Sequence, residues 1–439
     1  MSENKIITPR KLSGFMELLP EKQVIFDYYM DRIKKVFLDN SFLPLDTPIL
    51  EYSEILLAKS GGEVDKEVYR MQKGENDICM RYDLTVPLAR FISMEKDKLT
   101  FPFKRFQIGK VFRGEKPQKG RFRELYQCDA DIVGQDNLPL PADAECIRLI
   151  FEVFKAIEIE DILVQISNRN ILFGLCEALG YQDKNSQILI VLDKIHKIGK
   201  ENTLATLVDL GVKEKDAQKL IDITTLSGKF DVVLEKIEDI CSNQIYQQGI
   251  SELKELNTYL KAYNLDENKY QLDLSIIRGH NYYTGTVFET IMPSHSEFGA
   301  ICAGGRYDNL TSYFSNSQMQ GVGISVGLTR LFDLLDKNDL LTKNVKNNLK
   351  VEIIPLGNTI SECLKMEAYL KKNGIVCQTN YTSSSFKSKM KQANKIGVPY
   401  VIIIGEEEVE KQTFAFKDMI TGNQQMLSKA QICEQLAKI

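Results

Sequence analysis

The sequence predicts an α+β fold in which a largely antiparallel sheet is flanked by helices and followed by a small α/β domain. Residues 104–112 and 125–132 alternate as two strands joined by a long loop. Residues from about 170 to 265 have helical periodicity between strand-like segments, which indicates a helical insertion. After residue 342, apolar strands alternate with helices. We therefore expect domains of residues 1–342 and 343–439, with the insertion in the first.

Composition is ordinary for a soluble globular protein, with 43% hydrophobic and 26% charged residues and a net charge of −4. This net charge does not indicate a basic surface over the whole protein that would bind nucleic acid. The distribution of charge is more informative, because residues 342–439 carry 14 lysines and 9 acidic residues, a net charge of +5. A basic tail domain permits local contact with nucleic acid, although a charge of this size also arises by chance.

The nine cysteines are scattered without any CxxC pair, and only three histidines are present. A structural zinc site is therefore not expected, and the unpaired pattern fits small core residues in a reducing cytosol. The N-terminus has no apolar signal region, and no run of about 18 apolar residues occurs. We expect neither a signal peptide nor a membrane span, and a cytoplasmic location.

The N-terminal part predicts a helix beginning at Pro20, a residue suited to the first helical turn. Its apolar positions recur at roughly helical spacing, namely Val24, Ile25, Tyr28, Met30, Ile33 and Val36. Pro44 and Pro48 then interrupt an extended apolar stretch. Proline within a strand-like run indicates an edge or an interface rather than a central strand.

The hairpin of residues 104–132 concentrates polar and charged side chains. One face of its second strand carries Leu125, Gln127, Asp129 and Asp131, and Arg113 opens the connecting loop. Between residues 104 and 123 lie eight Lys or Arg and a single acid, Glu115. This pattern suggests a site for a polyanion beside a small polar or cationic ligand. A solvated hairpin with a charged outer face explains it equally well.

Elsewhere the candidates are more isolated. Asp83 and Thr85 lie at a strand–helix junction, where helix capping is the simplest role. Arg278 and Arg330 lie in low-charge, glycine-rich surroundings, and a buried arginine needs an anionic partner, either a structural Asp or a bound carboxylate or phosphate. The P-loop pattern and the HExxH and GxSxG motifs are absent.

Several segments together resemble the histidyl-tRNA synthetase family of class II aminoacyl-tRNA synthetases, over nearly the whole chain. FLPLDTPILE is similar to motif 1, RFQIGKVFRGEKPQKGRFRELYQ to motif 2 and GVGISVGLTRLFDLL to motif 3. IIRGHNYYTGTVFE and AGGRYDNL resemble the two segments peculiar to this family. The resemblance implies a class II antiparallel catalytic sheet, a C-terminal anticodon-binding domain and a homodimer. It also implies ATP, Mg²⁺, L-histidine and tRNA(His), without a metal site of the protein's own.

The resemblance also implies roles for individual residues. The positions that match the family's histidine-binding residues are Asp83, Leu84, Thr85, Gln127, Asp131, Tyr282 and Tyr283. Among them, Asp83, Thr85 and Gln127 correspond to the α-amino contacts, and Asp131 and Tyr283 to the imidazole pair. The positions that match the family's ATP-binding residues are Arg113, Glu115 and Arg330, with Arg278 beside the reacting carboxylate. Gln118 lies where the family contacts the tRNA acceptor end.

The chemistry implied by the family suits these residue types. The histidine carboxylate attacks the α-phosphorus of ATP, so Arg113 and Arg278 on either side would stabilise the charge that develops. No general base is required, because the carboxylate is already ionised. Asp131 and Tyr283 can each bond one imidazole nitrogen, which would penalise apolar competitors.

Some positions depart from the family pattern. Leu125 replaces a Phe that stacks on adenine, and His280-Asn281 replaces an apolar residue followed by Asp. A paralogue without aminoacylation activity, such as the regulatory subunit of ATP phosphoribosyltransferase, is the alternative. A nucleotide-dependent ligase of the same fold that does not use tRNA is a further one.

Overall fold

A computed structural model describes residues 7–58, 64–277, 283–308, 310–314, 318–343, 345 and 348–438, without the side chains of residues 64, 65, 310 and 313. The chain forms two compact units. The larger consists of Met1–Leu18 and Phe26–Leu341, and the smaller of Leu19–Ile25 and Thr342–Ile439. No helix among the described residues is long and apolar enough to cross a lipid bilayer.

The strands of the larger unit are Leu43–Pro44 (β1), Leu50–Tyr52 (β2), Arg70–Lys73 (β3), Asn76–Met80 (β4), Phe103–Phe112 (β5), Glu124–Gln135 (β6), Leu163–Asn168 (β7), Ser227–Gly228 (β8), Tyr270–Asp273 (β9), Thr286–Ile291 (β10), Cys302–Tyr307 (β11) and Met319–Gly327 (β12). Among the described residues, nine of them form one sheet in the order β1-β5-β6-β12-β11-β10-β7-β9-β8. Its pairs are antiparallel except β1 with β5 and β7 with β9. The expected edge position of the proline-containing stretch is confirmed for β1.

The helices that surround this sheet are Pro20–Asp39 (α1), Ser53–Leu57 (α2), Val64–Glu67 (α3), Thr85–Glu95 (α4), Pro141–Ala156 (α5), Arg169–Ala178 (α6), Asn185–Leu192 (α7), Ile195–Ile198 (α8), Lys200–Asp209 (α9), Glu214–Thr224 (α10), Phe230–Ile237 (α11), Gln244–Ala262 (α12) and Leu328–Lys337 (α13). Helices α6 to α12 fall between β7 and β9, which are neighbours in the sheet. The predicted α+β class is confirmed.

Helix α1 begins at Pro20, and the predicted helix is confirmed. Its buried side chains are Phe26, Tyr29, Ile33 and Phe37, so of the six apolar positions that predicted the helix only Ile33 is buried. The aromatic rings decide this, because Phe26 packs at 5.3 Å between ring centroids against Phe332 of α13. A stripe of spacing three, four and four is the repeat of a straight helix against a core.

The hairpin β5–β6 is the longest pairing of the sheet and fixes which side chains share a face. Arg105 lies opposite Asp131, and Gln107 lies opposite Asp129. Strand β12 pairs on the other side of β6, with Gly323 opposite Asp131 and Ser325 opposite Asp129. Directly paired residues point to the same side of a sheet. The polar face of β6 is therefore bordered by an arginine on one side and by small residues on the other.

The smaller unit is the α/β domain that the sequence predicts. Its elements are Val351–Pro355 (β13), Ile360–Lys372 (α14), Cys377–Thr379 (β14), Phe386–Ile396 (α15), Tyr400–Ile404 (β15), Glu406–Lys411 (α16), Phe414–Asp418 (β16), Gln424–Leu427 (β17) and Lys429–Ala437 (α17). The strand order is β14-β13-β15-β16-β17, with the first three parallel. Ser385 caps α15, and Gly397 ends it at a φ of 76°.

Candidate active site

A cavity of about 180 Å³ lies on the polar face of β6 in the larger unit. The predicted site residues that line it are Asp83, Thr85, Arg113, Leu125, Gln127, Asp131, Tyr283 and Arg330. They come from five separate segments of the chain, which the fold brings together. Among the other predicted residues, Arg278 and Tyr282 lie outside the described residues, as do His280 and Asn281.

Asp131 is held on the cavity floor by two partners that sequence reasoning missed. Nη2 of Arg105 lies 2.7 Å from its Oδ2, a charge contact without hydrogen-bond geometry, and both side chains are almost fully buried. The Tyr307 hydroxyl donates to Oδ1 at 2.9 Å. Burial raises the pKa of Asp131, while Arg105 and Tyr307 act against the rise. The carboxylate is therefore fixed in position before any ligand arrives.

Two glycines make room for these side chains. A Cβ at Gly323 would lie 2.1 Å from Asp131 Oδ1, and one at Gly305 would lie 2.8 Å from the ring of Tyr283. Both distances are too short for real atoms, so each position excludes a side chain. Gly323 of GVGISVG and Gly305 of AGGRYD thus leave the space into which Asp131 and Tyr283 extend.

Gln127 is held by Ser325 on the neighbouring strand. Its Nε2 donates to Ser325 Oγ at 2.7 Å. Its Oε1 is buried without a hydrogen-bond partner among the described residues. A buried acceptor in this state loses several kcal/mol of solvation unless a ligand supplies a donor. Gln127 lines the cavity, so a ligand bound there can supply that donor.

Asp83 caps helix α4 and also lines the cavity. Its Oδ1 accepts from the backbone N–H groups of Thr85 at 3.1 Å and Val86 at 2.9 Å. Burial raises the pKa of Asp83, and these two amides act against the rise. The Leu84 side chain is fully buried, and its carbonyl accepts from Arg105 Nη2 at 3.4 Å. Asp83 therefore both caps helix α4, as the local pattern favoured, and lines the cavity.

Arg113 lines the same cavity and acts against the rise in the pKa of Asp83. Its guanidinium lies over the ring of Tyr82, 4.7 Å from the centroid, and Nε donates to the Tyr82 carbonyl at 3.3 Å. The Tyr82 hydroxyl in turn donates to Glu67 at 2.8 Å. Stacking fixes the plane of the guanidinium while leaving its remaining N–H groups for an anion.

The loop between β5 and β6 is organised by a turn and by Arg330. Gln118 and Arg121 form a two-way backbone pair around Gly120. Arg330 Nε donates to the Gly120 carbonyl at 2.8 Å, and its Nη1 donates to the Ala300 carbonyl at 2.7 Å. Gln118 is exposed and Glu115 pairs with Arg121 at 3.3 Å, and neither lines the cavity.

The acidic floor includes a third carboxylate to which the sequence assigned no role. Asp129 is 3% exposed and lines the cavity beside Gln127 and Asp131. Burial, with smaller contributions from Asp131 and Asp83, raises the pKa of Asp129 to about 7, against the influence of Arg105 and Ser325. Alternation along β6 identified its face, but its burial depends on strands that are distant in sequence.

Known proteins resemble this chain over nearly its whole length. The crystal structure of histidyl-tRNA synthetase from Nostoc sp. PCC 7120 superposes with a TM-score of 0.87 and 32% identity, covering 99% of this chain and all of that one. A family model described as anticodon binding domain matches residues 350–439. The antiparallel sheet with its arginine-bordered cavity, followed by this second domain, makes the chain a class II aminoacyl-tRNA synthetase.

The family within this class is identified by a family model and by relatives that cover nearly the whole chain. The model of histidyl-tRNA synthetase matches residues 14–331. The histidine–tRNA ligase of Clostridium tetani is 41% identical over 96% of this chain and 97% of its own length. That of Clostridium acetobutylicum is 42% identical over 98% and 100%. The chain belongs to the histidyl-tRNA synthetase family.

These findings do not favour the paralogue as the function. A Bacillus halodurans structure titled as an ATP phosphoribosyltransferase regulatory subunit/histidyl-tRNA synthetase superposes with a TM-score of 0.76 at 20% identity, a likeness that shows the fold alone. The relatives at about 41% identity are named histidine–tRNA ligase, and the chain matches the anticodon-binding domain as well. The enzyme is an aminoacyl-tRNA ligase.

Proposed function

We propose that the enzyme activates L-histidine with ATP and transfers it to the 3′ end of tRNA(His). A histidine carboxylate oxygen bonds to the α-phosphorus as the bond to pyrophosphate breaks, which gives histidyl-adenylate. A terminal ribose hydroxyl of the tRNA then attacks the adenylate carbonyl, loses its proton and releases AMP. One observation carries the proposal: a single cavity joins a buried, pre-oriented Asp131 to the stacked Arg113.

Asp131 and Tyr283 are proposed to bind the imidazole ring. A carboxylate that is already fixed by Arg105 and Tyr307 accepts from one ring nitrogen without reorganising. An apolar side chain of similar size would leave this carboxylate unpaired, which costs several kcal/mol. At the other end of the amino acid, the orphaned Oε1 of Gln127 and the carboxylate of Asp83 accept from the α-ammonium group, with Thr85 beside them.

The ATP phosphates are proposed to lie towards the arginines. Arg113 contacts the α-phosphate, Arg278 the reacting carboxylate and Arg330 the γ-phosphate, while Glu115 stays near the nucleotide. Magnesium enters as part of the MgATP substrate, held chiefly by phosphate oxygens and water. Among the described residues, no group of three acidic, His or Cys side chains could hold a metal ion by itself.

The test of this proposal is histidine-dependent exchange of pyrophosphate into ATP. We expect exchange with L-histidine and less than a hundredth of it with phenylalanine, because phenylalanine cannot bond Asp131 and Tyr283. Folded protein that binds ATP but shows no histidine-dependent exchange would contradict the proposal. Charging of tRNA(His) transcript by the same preparation tests the second step.

The smaller unit is proposed to bind an anticodon base in a cavity of about 460 Å³. The cavity lies at the carboxyl ends of parallel strands β13 and β14, next to the point where the chain crosses from β14 to β15 on the far side of β13. This is the usual ligand position in open α/β sheets. Tyr381 and Phe386 line it with 76% and 42% of their surfaces exposed, which suits stacking of a base.

Replacing Tyr381 by alanine should raise the KM for tRNA in histidine charging roughly tenfold, because stacking of one base is worth about 1–3 kcal/mol. Pyrophosphate exchange without tRNA should be unchanged. Ile420→Ala is the matched control, since Ile420 is equally exposed at 79% but lies outside the cavity. An unchanged KM for tRNA would remove Tyr381 from the anticodon site.

A homodimer is proposed from an exposed apolar row in the larger unit. Tyr52, Ile78 and Met71 lie side by side across the three strands β2, β4 and β3, and Tyr52 and Met71 are 52% and 40% exposed. The segment that resembles motif 1 ends in β2, the strand that carries Tyr52. A contiguous exposed apolar surface marks an interaction site, here with a second copy of the chain.

Sedimentation equilibrium should therefore give twice the chain mass of 50.1 kDa. The double change Tyr52→Glu and Met71→Glu should shift the mass to that of one chain, because two charges would be buried unpaired. Tyr381→Glu controls for an exposed aromatic elsewhere. A single-chain mass for the unaltered protein would contradict the dimer.

We place the enzyme in the cytoplasm, where its nine free cysteines would stay reduced.

A further inference from the structure

Three buried acidic groups line the cavity floor. Asp83, Asp129 and Asp131 are 8%, 3% and 4% exposed, and the fully buried Arg105 lies among them. Arg105 contacts Asp131, which also accepts from Tyr307. Oδ1 of Asp83 already accepts from two helix amides. Asp129 has neither an arginine contact like that of Asp131 nor helix amides like those of Asp83 in the described part of the chain.

Asp129 has an oxygen without a hydrogen-bond partner in the part of the chain that the structure describes. Ser325 lies opposite Asp129 in the pairing of β12 with β6 and acts against the rise in the pKa of Asp129. Its Oδ1 is buried without a hydrogen-bond partner among the described residues. An ionised carboxylate in this state is costly, so the position requires either a bound proton or a donor from a ligand.

Ser325 contacts Gln127 and lies opposite this acid. Its Oγ accepts from Gln127 Nε2 at 2.7 Å, which leaves its own hydrogen available to Asp129 on the facing strand. This arrangement turns Oε1 of Gln127 away from Ser325 and leaves it unpaired. Gln127 and Asp129 are two residues apart on the same face of β6, and both line the cavity. Each has one buried acceptor without a partner among the described residues, and one of these acceptors is charged. A primary ammonium group, with one positive charge and three N–H donors, matches this pair.

We propose that Asp129 binds the α-ammonium group of the amino acid together with Gln127, and that Ser325 orients both. The inference rests on the proposed activation of an amino acid and adds a second charged ligand beside Asp83. Asp83 then acts chiefly through the helix that it caps, with its second oxygen as a further acceptor.

Binding should be linked to a proton. Before the amino acid arrives, the pKa of Asp129 is about 7, so roughly half of these carboxyls are protonated at neutral pH. Of the charged groups around it, Asp131 and Asp83 favour this proton, whereas Arg105 and Arg81 oppose it. An ammonium group favours the ionised form and expels the proton. Affinity should thus rise between pH 6 and pH 8, and fall as pH drops through 7.

The first test compares Asp129→Asn with Asp136→Asn in pyrophosphate exchange. Asp136 follows the same strand but is exposed, so its variant loses one charge without reaching the cavity. Asp129→Asn should raise the KM for histidine about tenfold or more, the size of a lost charged hydrogen bond. It should leave the KM for ATP within about twofold and flatten the dependence of the histidine KM on pH. Histidine KM and pH profile equal to those of Asp136→Asn would overturn the proposal.

The second test needs no variant and therefore does not depend on folding of Asp129→Asn. Triazolylalanine, whose ring stays uncharged at neutral pH, is titrated into the unaltered enzyme by calorimetry in two buffers of different ionisation enthalpy. At pH 7 we expect release of about half a proton per ligand. Binding without proton release would overturn the proposal. Absence of any histidine-dependent exchange by the unaltered enzyme would instead remove the proposed function itself.

Discussion

Alanine in place of Arg113 is expected to slow histidine-dependent pyrophosphate exchange roughly a thousandfold while leaving the fold intact. The guanidinium is held in plane by Tyr82 and needs no movement to meet the charge that develops on the α-phosphorus. Its loss removes a preorganised cation from the transition state more than from the ground state. The KM for ATP should therefore change by far less than kcat.

Two variants make this measurement specific. Arg121→Ala removes a cation from the same loop, where it is 53% exposed and pairs with Glu115, and it should change kcat for exchange by less than about threefold. Arg113→Lys keeps the charge but loses the planar fork, so most of the rate should still be lost. If Arg113→Ala retained a tenth or more of the exchange rate, the phosphate-binding role would be wrong.

Methionine in place of Arg105 is expected to lower the free energy of unfolding by about 3–5 kcal/mol at pH 8. Arg105 is fully buried, and its removal leaves Asp131 and Asp129 without the cation that offsets their burial. Urea unfolding of the two proteins measures the difference. Lys110→Met is the control from the same strand, since that lysine is 37% exposed and its pair with Glu124 is worth less than about 1 kcal/mol.

The loss should shrink towards acidic pH. Folding raises the pKa of both carboxyls above their ordinary value, so the folded state binds more protons and stability falls as pH rises from about 4 to about 7. Without Arg105 the folded pKa values rise further. The acids of the variant can then be neutral at pH 5, and its deficit against the unaltered protein should be smaller there. A deficit that is equal at pH 5 and pH 8 would rule out this electrostatic account.

Much of the candidate site is readable from local sequence because strand alternation is a short-range property. The period of two assigned Gln127, Asp129 and Asp131 to one face, and the strand–helix junction located Asp83. The structure gathers these residues on one cavity. Their roles with ligands remain predictions, and those of Arg278 and Tyr282 rest on sequence alone.

Arg105 shows what local pattern does not determine. It is one of eight Lys or Arg between residues 104 and 123, and nothing in its neighbours distinguishes it from Lys104 or Lys110. Only the register of β5 against β6 puts it opposite Asp131. Tyr307 and Ser325 come from β11 and β12, more than 170 residues further along the chain. In helix α1 the periodicity predicted the helix but not its buried side chains, because the ring that faces Phe26 belongs to a distant part of the chain.

The glycines beneath Asp131 and Tyr283 have a consequence for how this enzyme tolerates variation. Gly323 and Gly305 touch no ligand in the proposed mechanism, yet nineteen of the twenty amino acids would place an atom where Asp131 or Tyr283 must lie. Specificity for the amino acid thus depends partly on two positions that have no side chain. A substitution at either glycine would reduce activity as a substitution of an active-site residue does, although neither glycine contacts a ligand.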